Sequence, residues 1–338
     1  MFRIKGNNYW NFIKIAILFS FSFSFSPGFS FTYSMKQPSY DAVIRCIFFD
    51  SQKNLWIGTF GAGLWEIKEK TPHKALDRFQ MQPVVRISKI IEKNGKLIVA
   101  TAGEGLFSFQ PDNKVWSEFQ PLAGKDFQFL HGLLDTPEGL MIGSVGSSAA
   151  ILENDTWKKI GEAQGLDDNW INDFFVFQNE TWISGSNGIW KYKNGRIHEY
   201  FVPRNEWVHS EVNTATIWQQ TLFLGTGEDG LIYRTSDNNF KRFQEIPNSI
   251  AALQEFQGNL FVGGKKGLFK ISFSLNKKFV TKKIESPLFT SEVYIKSLAV
   301  SPDNELFVGT LNGELFKSAD GEVFKAVGAF KDGILFLN

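Results

Sequence analysis

The sequence predicts an all-β protein: a seven-bladed β-propeller of four-stranded antiparallel blades. Three observations carry that expectation. One strand–glycine turn–strand hairpin recurs seven times, its period is about forty residues, and no helical 3.6-residue periodicity stands after about residue 35.

The first hairpin is "NLWIGTFGAGLWEI", Asn54 to Ile67. The others are "KLIVATAGEGLFSF", "LMIGSVGSSAAIL", "TWISGSNGIWKY", "LFLGTGEDGLIY", "LFVGGKKGLFKI" and "LFVGTLNGELF". The positions aligned with Gly58 are Ala100, Gly143, Ser184, Gly225, Gly263 and Gly309, at spacings of 42, 43, 41, 41, 38 and 46 residues. An apolar segment precedes each hairpin, from "VIRCIFFD" in the first copy to "YIKSLAVS" in the last. Shorter segments such as "KALDRFQ", "TWKKI" and "RIHEYF" follow. Four strands per repeat is one blade. The joining turns ("SQKN", "KNGK", "TPEG", "PDNE") carry the Asn, Gly, Pro and Asp that tight turns need.

Blades stack face to face, so the central strands are buried on both sides and read as nearly continuous apolar runs, as in "LWIG" and "LFVG". Glycine at the Gly58 position then lets the backbone pass close to a neighbouring blade. Trp56, Trp65, Trp182 and Trp190 follow the repeat phase and are expected to pack between blades.

The N-terminus differs. Arg3, Lys5 and Lys14 precede the apolar run Ile15–Ser26, and Pro27, Gly28 and small residues follow. This is the layout of a signal peptide, with cleavage between Ser26 and Ser34. The division is therefore 1–34 signal peptide and 35–338 propeller. Twelve serine-broken residues are short for a membrane span, and an uncleaved segment is the only membrane association expected. Loss of residues 1–34 moves the formal charge from +1 to −2. No basic stripe stands out, which argues against nucleic acid. The single cysteine, Cys46, forms no internal disulfide, so the fold holds without staples.

The stretch "IFFDSQKNLWIGTFGAGLWEI" resembles the two-component regulator propeller repeat, whose pattern runs apolar–D–x–x–G–N–L–W–I–G–T–x–x–G–G–L. Lys53 stands where the family prefers glycine, Ala100 and Ser184 replace the glycine of the G–T pair, and "VGSSAAIL" loses the G–G–L. The resemblance extends over residues 40 to about 330. It implies a bacterial propeller exported to the periplasm or cell surface. Such propellers are usually sensor domains of membrane histidine kinases that bind ligands on one face. No kinase, receiver or further membrane segment follows in this sequence, so the resemblance implies a stand-alone, monomeric binding or scaffold module. "RTSDNNFKRF" and "KSADGEVFKAV" resemble, more faintly, the Asp-box turns of sialidase-like and photosystem-assembly-factor propellers. Asp237 and Asp320 there read as turn formers.

Loops on a rigid scaffold are the place to look for a site. Two adjacent ones combine an aromatic with carboxylates and amides: Asp167–Asp173 and Arg204–Asn213. Trp170 and Trp207 are candidates to stack on a ligand, and Asp168, Asn172, His209 and Glu211 to hydrogen-bond it. Glu228 and Asp229, in a second-to-third-strand loop, are expected at the same end. Counting back from each turn along the first strands gives Cys46, Ser88, His131, Asp173, Thr214, Ala252 and Ser297 as channel-lining residues. Either crowding at the axis or ligand contact explains their small or polar character. His131 and Asp173 join the candidate site on the second reading.

Enzymatic readings are poorer. The four histidines His73, His131, His198 and His209 form no metal-ligand motif. No nucleophile elbow or phosphate loop precedes a helix. No cofactor is called for. The expected partner is a protein, peptide or glycan on the loop face. The alternative is a glycosidase or lyase acting on a glycan through loop carboxylates such as Asp168 and Glu211.

Overall fold

The computed structural model describes residues 43–337, except 77, 80, 81, 85, 111–114, 120–125, 202–210, 237–238, 247–248, 275–277 and 289–292. The expected signal segment, Trp207, His209 and Asp237 lie outside the described residues.

Among the described residues, seven antiparallel blade sheets form, each from contiguous sequence, with a short two-stranded sheet, Arg78–Phe79 with Gln82–Pro83, between blades 1 and 2 in the chain. Blade 1 is Val43–Phe49, Leu55–Phe60, Leu64–Lys68 and Thr71–Leu76. Blade 2 is Ile87–Lys93, Lys96–Thr101, Leu106–Gln110 and Val115–Glu118. Blade 3 is Leu130–Thr136, Gly139–Ser144, Ala149–Glu153 and Thr156–Ile160. Blade 4 is Ile171–Phe177, Glu180–Gly185, Gly188–Lys193 and Arg196–Phe201. Blade 5 is Val212–Trp218, Thr221–Thr226, Leu231–Arg234 and Phe240–Arg242. Blade 6 is Ile250–Phe256, Asn259–Gly264, Gly267–Phe273 and Phe279–Lys283. Blade 7 is Ile295–Val300, Leu306–Thr310, Glu314–Ser318 and Lys325–Lys331, with a fifth strand, Ile334–Leu337, on its outer edge. The first strand of each blade packs on the first strand of the next, and that of blade 7 packs on that of blade 1, so the ring closes.

The glycine row explains the spacing of the blades. A methyl group built on Gly58 would lie 2.6 Å from Cγ2 of Ile87 in blade 2. The same 2.6 Å separates Gly143 from Ile171, Gly225 from Ile250 and Gly263 from Ile295. At the closing seam Gly309 and Ile44 give 2.5 Å. One aliphatic knob per blade thus fills a hole that only a missing side chain leaves in the blade before it. Blades 2 and 4 carry Ala100 and Ser184 at this position, and Leu130 and Val212 stand at the knob position that follows.

The tryptophans pack between blades as their phase implies. Trp56 joins Ile87, Val99 and Phe109 of blade 2, and Trp182 joins Leu222 and Ile232 of blade 5. Third-strand rings look the other way: Trp65 packs on Leu315 and Phe330 of blade 7, and Trp190 on Met141 and Ile151 of blade 3. Burial of one such ring contributes roughly 4–6 kcal/mol before entropy is deducted.

The first turn shows why its motif reads as it does. One Asp50 carboxylate accepts from the amides of Gln52 (3.0 Å) and Asn54 (2.8 Å), from the Asn54 side chain (2.9 Å) and from Trp56 Nε1 (2.8 Å). Lys53 adopts φ +67°, the left-handed conformation for which the repeat uses glycine. Asp320 organises its turn similarly, accepting from the amides of Glu322 (2.8 Å) and Val323 (2.9 Å).

The ring closes through inner-strand packing. The C-terminal strand extends blade 7 instead, placing Leu335 in the Trp65–Phe330 cluster between blades 7 and 1. The expected partner of this strand, "SFTYS", lies outside the described residues. The outer strand of blade 1 begins at Thr71, earlier than "KALDRFQ" suggested.

Two outcomes test this account. Gly309→Ala should lower stability by about 1–3 kcal/mol through overpacking. In a double-mutant cycle followed by denaturant unfolding, Ile44→Val should recover part of that loss in the Gly309→Ala background. Lys53→Gly should raise stability by about 0.5–1 kcal/mol, because relief of the left-handed strain exceeds the entropy glycine adds to the unfolded chain. Its surface ion pair with Asp303, 3.4 Å long and exposed, offers little to set against this.

Candidate functional site at the axial mouth

Every first strand carries a bulge at the same place. The ladder to the second strand skips one residue in each blade: Arg45, Ser88, His131, Asn172, Asn213, Ala251 and Lys296. Each follows directly on the aliphatic knob. Because the knob is pinned into the neighbouring blade, the bulge turns the next residue out of the ladder.

The channel-lining row expected from the sequence is corrected here. The residues paired opposite the glycine row are Cys46, Lys89, Gly132, Asp173, Thr214, Ala252 and Ser297. Ser88 and His131 belong to the bulge row, one residue earlier. Glu92 and Asp135 look like turn-opening acids by analogy with Asp50, but both lie inside strands that run on to Lys93 and Thr136. The glycine-facing row is the crowded one: a methyl on Gly58 would meet Cys46 Sγ at 2.3 Å, and one on Gly309 would meet Ser297 Oγ at 2.4 Å. Burial pushes the Cys46 thiol up to about 12, so it is a packing group and not a nucleophile. Within this row Lys89 of blade 2 reaches across to Asp173 of blade 4 in an ion pair.

The bulge row gathers charge from around the ring. Arg45, His131 and Lys296 act on one another electrostatically, although they come from blades 1, 3 and 7. Burial lowers the Arg45 guanidinium from its usual value. Burial, reinforced by Arg45, brings Lys296 down to about 7, with Glu211 opposing. Burial and Arg45 bring His131 down to about 4, against a hydrogen bond to Asn172, so its imidazole is neutral at pH 7. Burial raises the Glu211 carboxyl, an Asn172 hydrogen bond opposes it, and the nearby Glu228 and Asp168 raise it further.

Above this row lie the residues that precede each knob: Val43, Arg86, Phe129, Trp170, Glu211, Ser249 and Tyr294. Phe129 is 50% and Trp170 38% exposed, high values for aromatics next to a buried strand. Trp170 Nε1 donates to Asn172 Oδ1 at 3.0 Å, and Asn172 Nδ2 donates to the Val212 carbonyl at 3.1 Å. Asn213 repeats this to the Ile250 carbonyl at 3.1 Å. Lys296 Nζ sits 4.3 Å from the Tyr294 ring centre, and the Tyr294 hydroxyl meets Ser249 Oγ at 2.9 Å.

The structure thus brings Trp170, Asn172, Glu211, Glu228 and His131 to one end of the axis. Asp168 is near them but 2% exposed. It accepts from the Trp170 amide (2.9 Å), from Ser186 Oγ and from the Asn187 amide (3.0 Å), so it holds the loop that presents Trp170. Asp173 is engaged by Lys89, one step deeper. Asp229 is 3% exposed and lies 3.9 Å from Arg242 of its own blade. Sequence reasoning passed over Lys296, Asn213, Phe129 and Tyr294. Aligning the first strands on the aliphatic knob, instead of on the turn, would have placed all of them. Among the described residues no three of His, Cys, Asp and Glu gather in a metal-binding arrangement.

Residues 40–61 match the two component regulator propeller family. No curated protein sequence matches the chain significantly. Among solved structures, the extracellular domain assigned to one hybrid two component system of B. thetaiotaomicron superposes with a TM-score of 0.66 at 18% identity. That match covers 80% of this chain and 37% of that one. A second such domain gives 0.67 at 13% identity, covering 88% and 47%. The chain therefore spans less than half the length of these sensor structures. Virginiamycin B lyase from Staphylococcus aureus, solved as a catalytically inactive histidine-to-alanine variant with quinupristin, gives 0.64 at 12% identity, covering 82% and 95%. At these identities the likeness establishes the propeller fold.

The charge cluster has a measurable consequence. Lys296 titrates near 7 when folded and at its usual 10.5 when unfolded, so between these values the unfolded chain binds the extra proton. Its contribution makes stability rise with pH above about 7, by at most about 1.4 kcal/mol per unit. Lys296→Met should be more stable than the parent at pH 6.5 and should lose that part of the slope between pH 7 and 8.5, measured by denaturant unfolding.

Proposed function

We propose that the chain is an extracytoplasmic ligand-binding propeller of sensor type, with its ligand seated at the axial mouth. The observation that carries this reading is the bulge row itself. Arg45, His131 and Lys296 occupy the same bulge position in three blades and act on one another electrostatically, whereas blade 6 fills that position with Ala251. Exposed aromatics, Phe129 and Trp170, precede the knobs of blades 3 and 4, and Trp170 bonds Asn172 of the bulge row. Polar groups converging under apolar surface are what a small-molecule site looks like. The likeness to extracellular sensor domains and the apolar N-terminal segment of the sequence support export to the periplasm or cell surface. A soluble peptide or glycan suits the mouth better than a nucleic acid, given a net charge near zero.

A second reading has one feature in its favour. A neutral imidazole on the axis, His131, suits proton transfer in a lyase-like or glycosidase-like reaction. The carboxylate pair Asp168 and Glu211 suits it less, because Asp168 is already engaged in its own loop.

Thermal unfolding with a panel of neutral and acidic mono- and disaccharides, amino acids and dipeptides tests the first reading. At least one compound should raise the melting temperature by several degrees without being consumed. Trp170→Ala should abolish the shift while leaving unliganded melting nearly unchanged. A panel without effect, or a shift that survives Trp170→Ala, counts against the mouth as the site. Consumption of a compound that stops in His131→Ala would favour the enzyme.

A further inference from the structure

We propose that the axial mouth holds its ligand by a carboxylate, seated between Arg45 and Lys296 with the Ser88 hydroxyl as a third donor, and with a ring of the ligand against Phe129 and Trp170. This deepens the sensor reading above and rests on it.

Lys296, Arg45 and Ser88 occupy the bulge position in three consecutive blades, 7, 1 and 2, and so form one continuous arc of the ring. The arc is cationic and unsatisfied. Among the described residues, neither Arg45 nor Lys296 makes an ion pair, although the chain forms such pairs elsewhere, including Lys89 with Asp173 in the row beneath. Ser88 is 9% exposed, and its Oγ is a buried polar atom without a hydrogen-bond partner. A buried hydroxyl left in this state works against stability.

The opposite side of the mouth does not supply the missing anion. Glu211, on blade 5, is bound to Asn172 and crowded by Glu228 and Asp168. It lies within electrostatic range of Lys296 but forms no ion pair with it. Two basic side chains without an ion-pair partner among the described residues, next to an unpaired donor, define an anion subsite. A planar carboxylate fits it because the guanidinium fork of Arg45 offers two parallel N–H donors, while Lys296 adds a point charge. The exposed aromatics Phe129 and Trp170, which enter blades 3 and 4, would select a carboxylate carried on a ring. The remaining amide and carboxyl groups, Asn213 and Glu211, are placed to meet hydroxyls.

Calorimetric titration and thermal unfolding of the full chain at about 10 mM ligand give the test, with two matched pairs: D-glucuronate against D-glucose, and benzoate against benzamide. At least one carboxylate should bind and raise the melting temperature, and its neutral counterpart should bind at least about tenfold more weakly. Which pair responds distinguishes a sugar acid from an aromatic acid. Arg45→Gln and Lys296→Gln should each weaken the carboxylate at least about tenfold, and Ser88→Ala several-fold. Should Arg45→Gln not fold, Lys296→Gln carries the test, since it relieves the burial of an amine that burial already holds down to about 7. Equal binding of a carboxylate and its neutral partner overturns the proposal, as does no response to either carboxylate. A neutral compound lost in Trp170→Ala but retained in Arg45→Gln would keep the mouth as the site and remove the carboxylate. Carboxylate binding indifferent to all four variants would remove both.

Discussion

The contact on which the molecule depends is the seating of one aliphatic side chain in the gap left by a glycine of the preceding blade. It occurs with nearly the same geometry at Gly58, Gly143, Gly225, Gly263 and, at the seam, Gly309. A close-packed interior does not tolerate an added methyl group at such a distance, so the contact fixes how near two blades can come. Repeated around the axis, it sets the angle between blades, and the angle sets their number. Closure then needs no exchange of strands between the ends of the chain. The seam between Ile44 and Gly309 is the same joint as the others, strengthened by Ser297 Oγ donating to the Ile44 carbonyl at 3.1 Å.

The same joint creates the site. With the knob held in the neighbouring blade, the strand re-enters its ladder only after one residue is left out, and that residue faces the axis. The fold demands a bulge there, and outside blades 4 and 5, where Asn172 and Asn213 bond the next knob's carbonyl, no hydrogen bond among the described residues ties its side chain to the joint. Ala251 occupies the position in blade 6 with no polar group at all. Arginine, histidine and lysine at the same structural position therefore need an explanation other than folding. For Lys296, which burial brings down to about 7, the charged form works against stability below that pH. Residues that work against stability at freely substitutable positions are most simply explained by what they bind.

The fold was legible in the sequence because its signals are local and repeated. Hairpin, glycine turn and tryptophan phase each occur within a dozen residues, and seven copies average out the degenerate ones. Even departures carried information: Lys53, in the glycine slot of its turn, adopts the left-handed backbone the slot requires. The site was legible only in part. Trp170, Asn172 and Glu211 were visible because aromatics and amides cluster in one entry loop. Lys296 was hidden, because "YIKSLAV" reads as an ordinary strand whose lysine points anywhere. Its placement depends on a bulge, which leaves no composition signal, and on a ring, which brings residue 296 beside residue 45. Counting from the turn failed in blades 2 and 3 because Glu92 and Asp135 mimic the acid that opens the turn in blade 1.

These facts bear on how such a scaffold changes its ligand. The joint and the mouth are adjacent in sequence and divide their tasks at the seam: Ile44 carries the packing and Arg45 the charge, whereas in blades 4 and 5 the bulge residues Asn172 and Asn213 also bond the backbone of the next knob. Substitution at the bulge row alters charge without moving a blade, whereas substitution at the knob alters the ring without touching charge. The seven bulge positions are thus close to a free choice of seven side chains around one axis. In this chain the choice is uneven, with cations over blades 7 and 1, an unpaired hydroxyl in blade 2, and amides over blades 4 and 5. A ring symmetric in its backbone has become polar in its mouth. Such a mouth orients a bound molecule, because a ligand with an acidic end and a neutral end fits in one direction only.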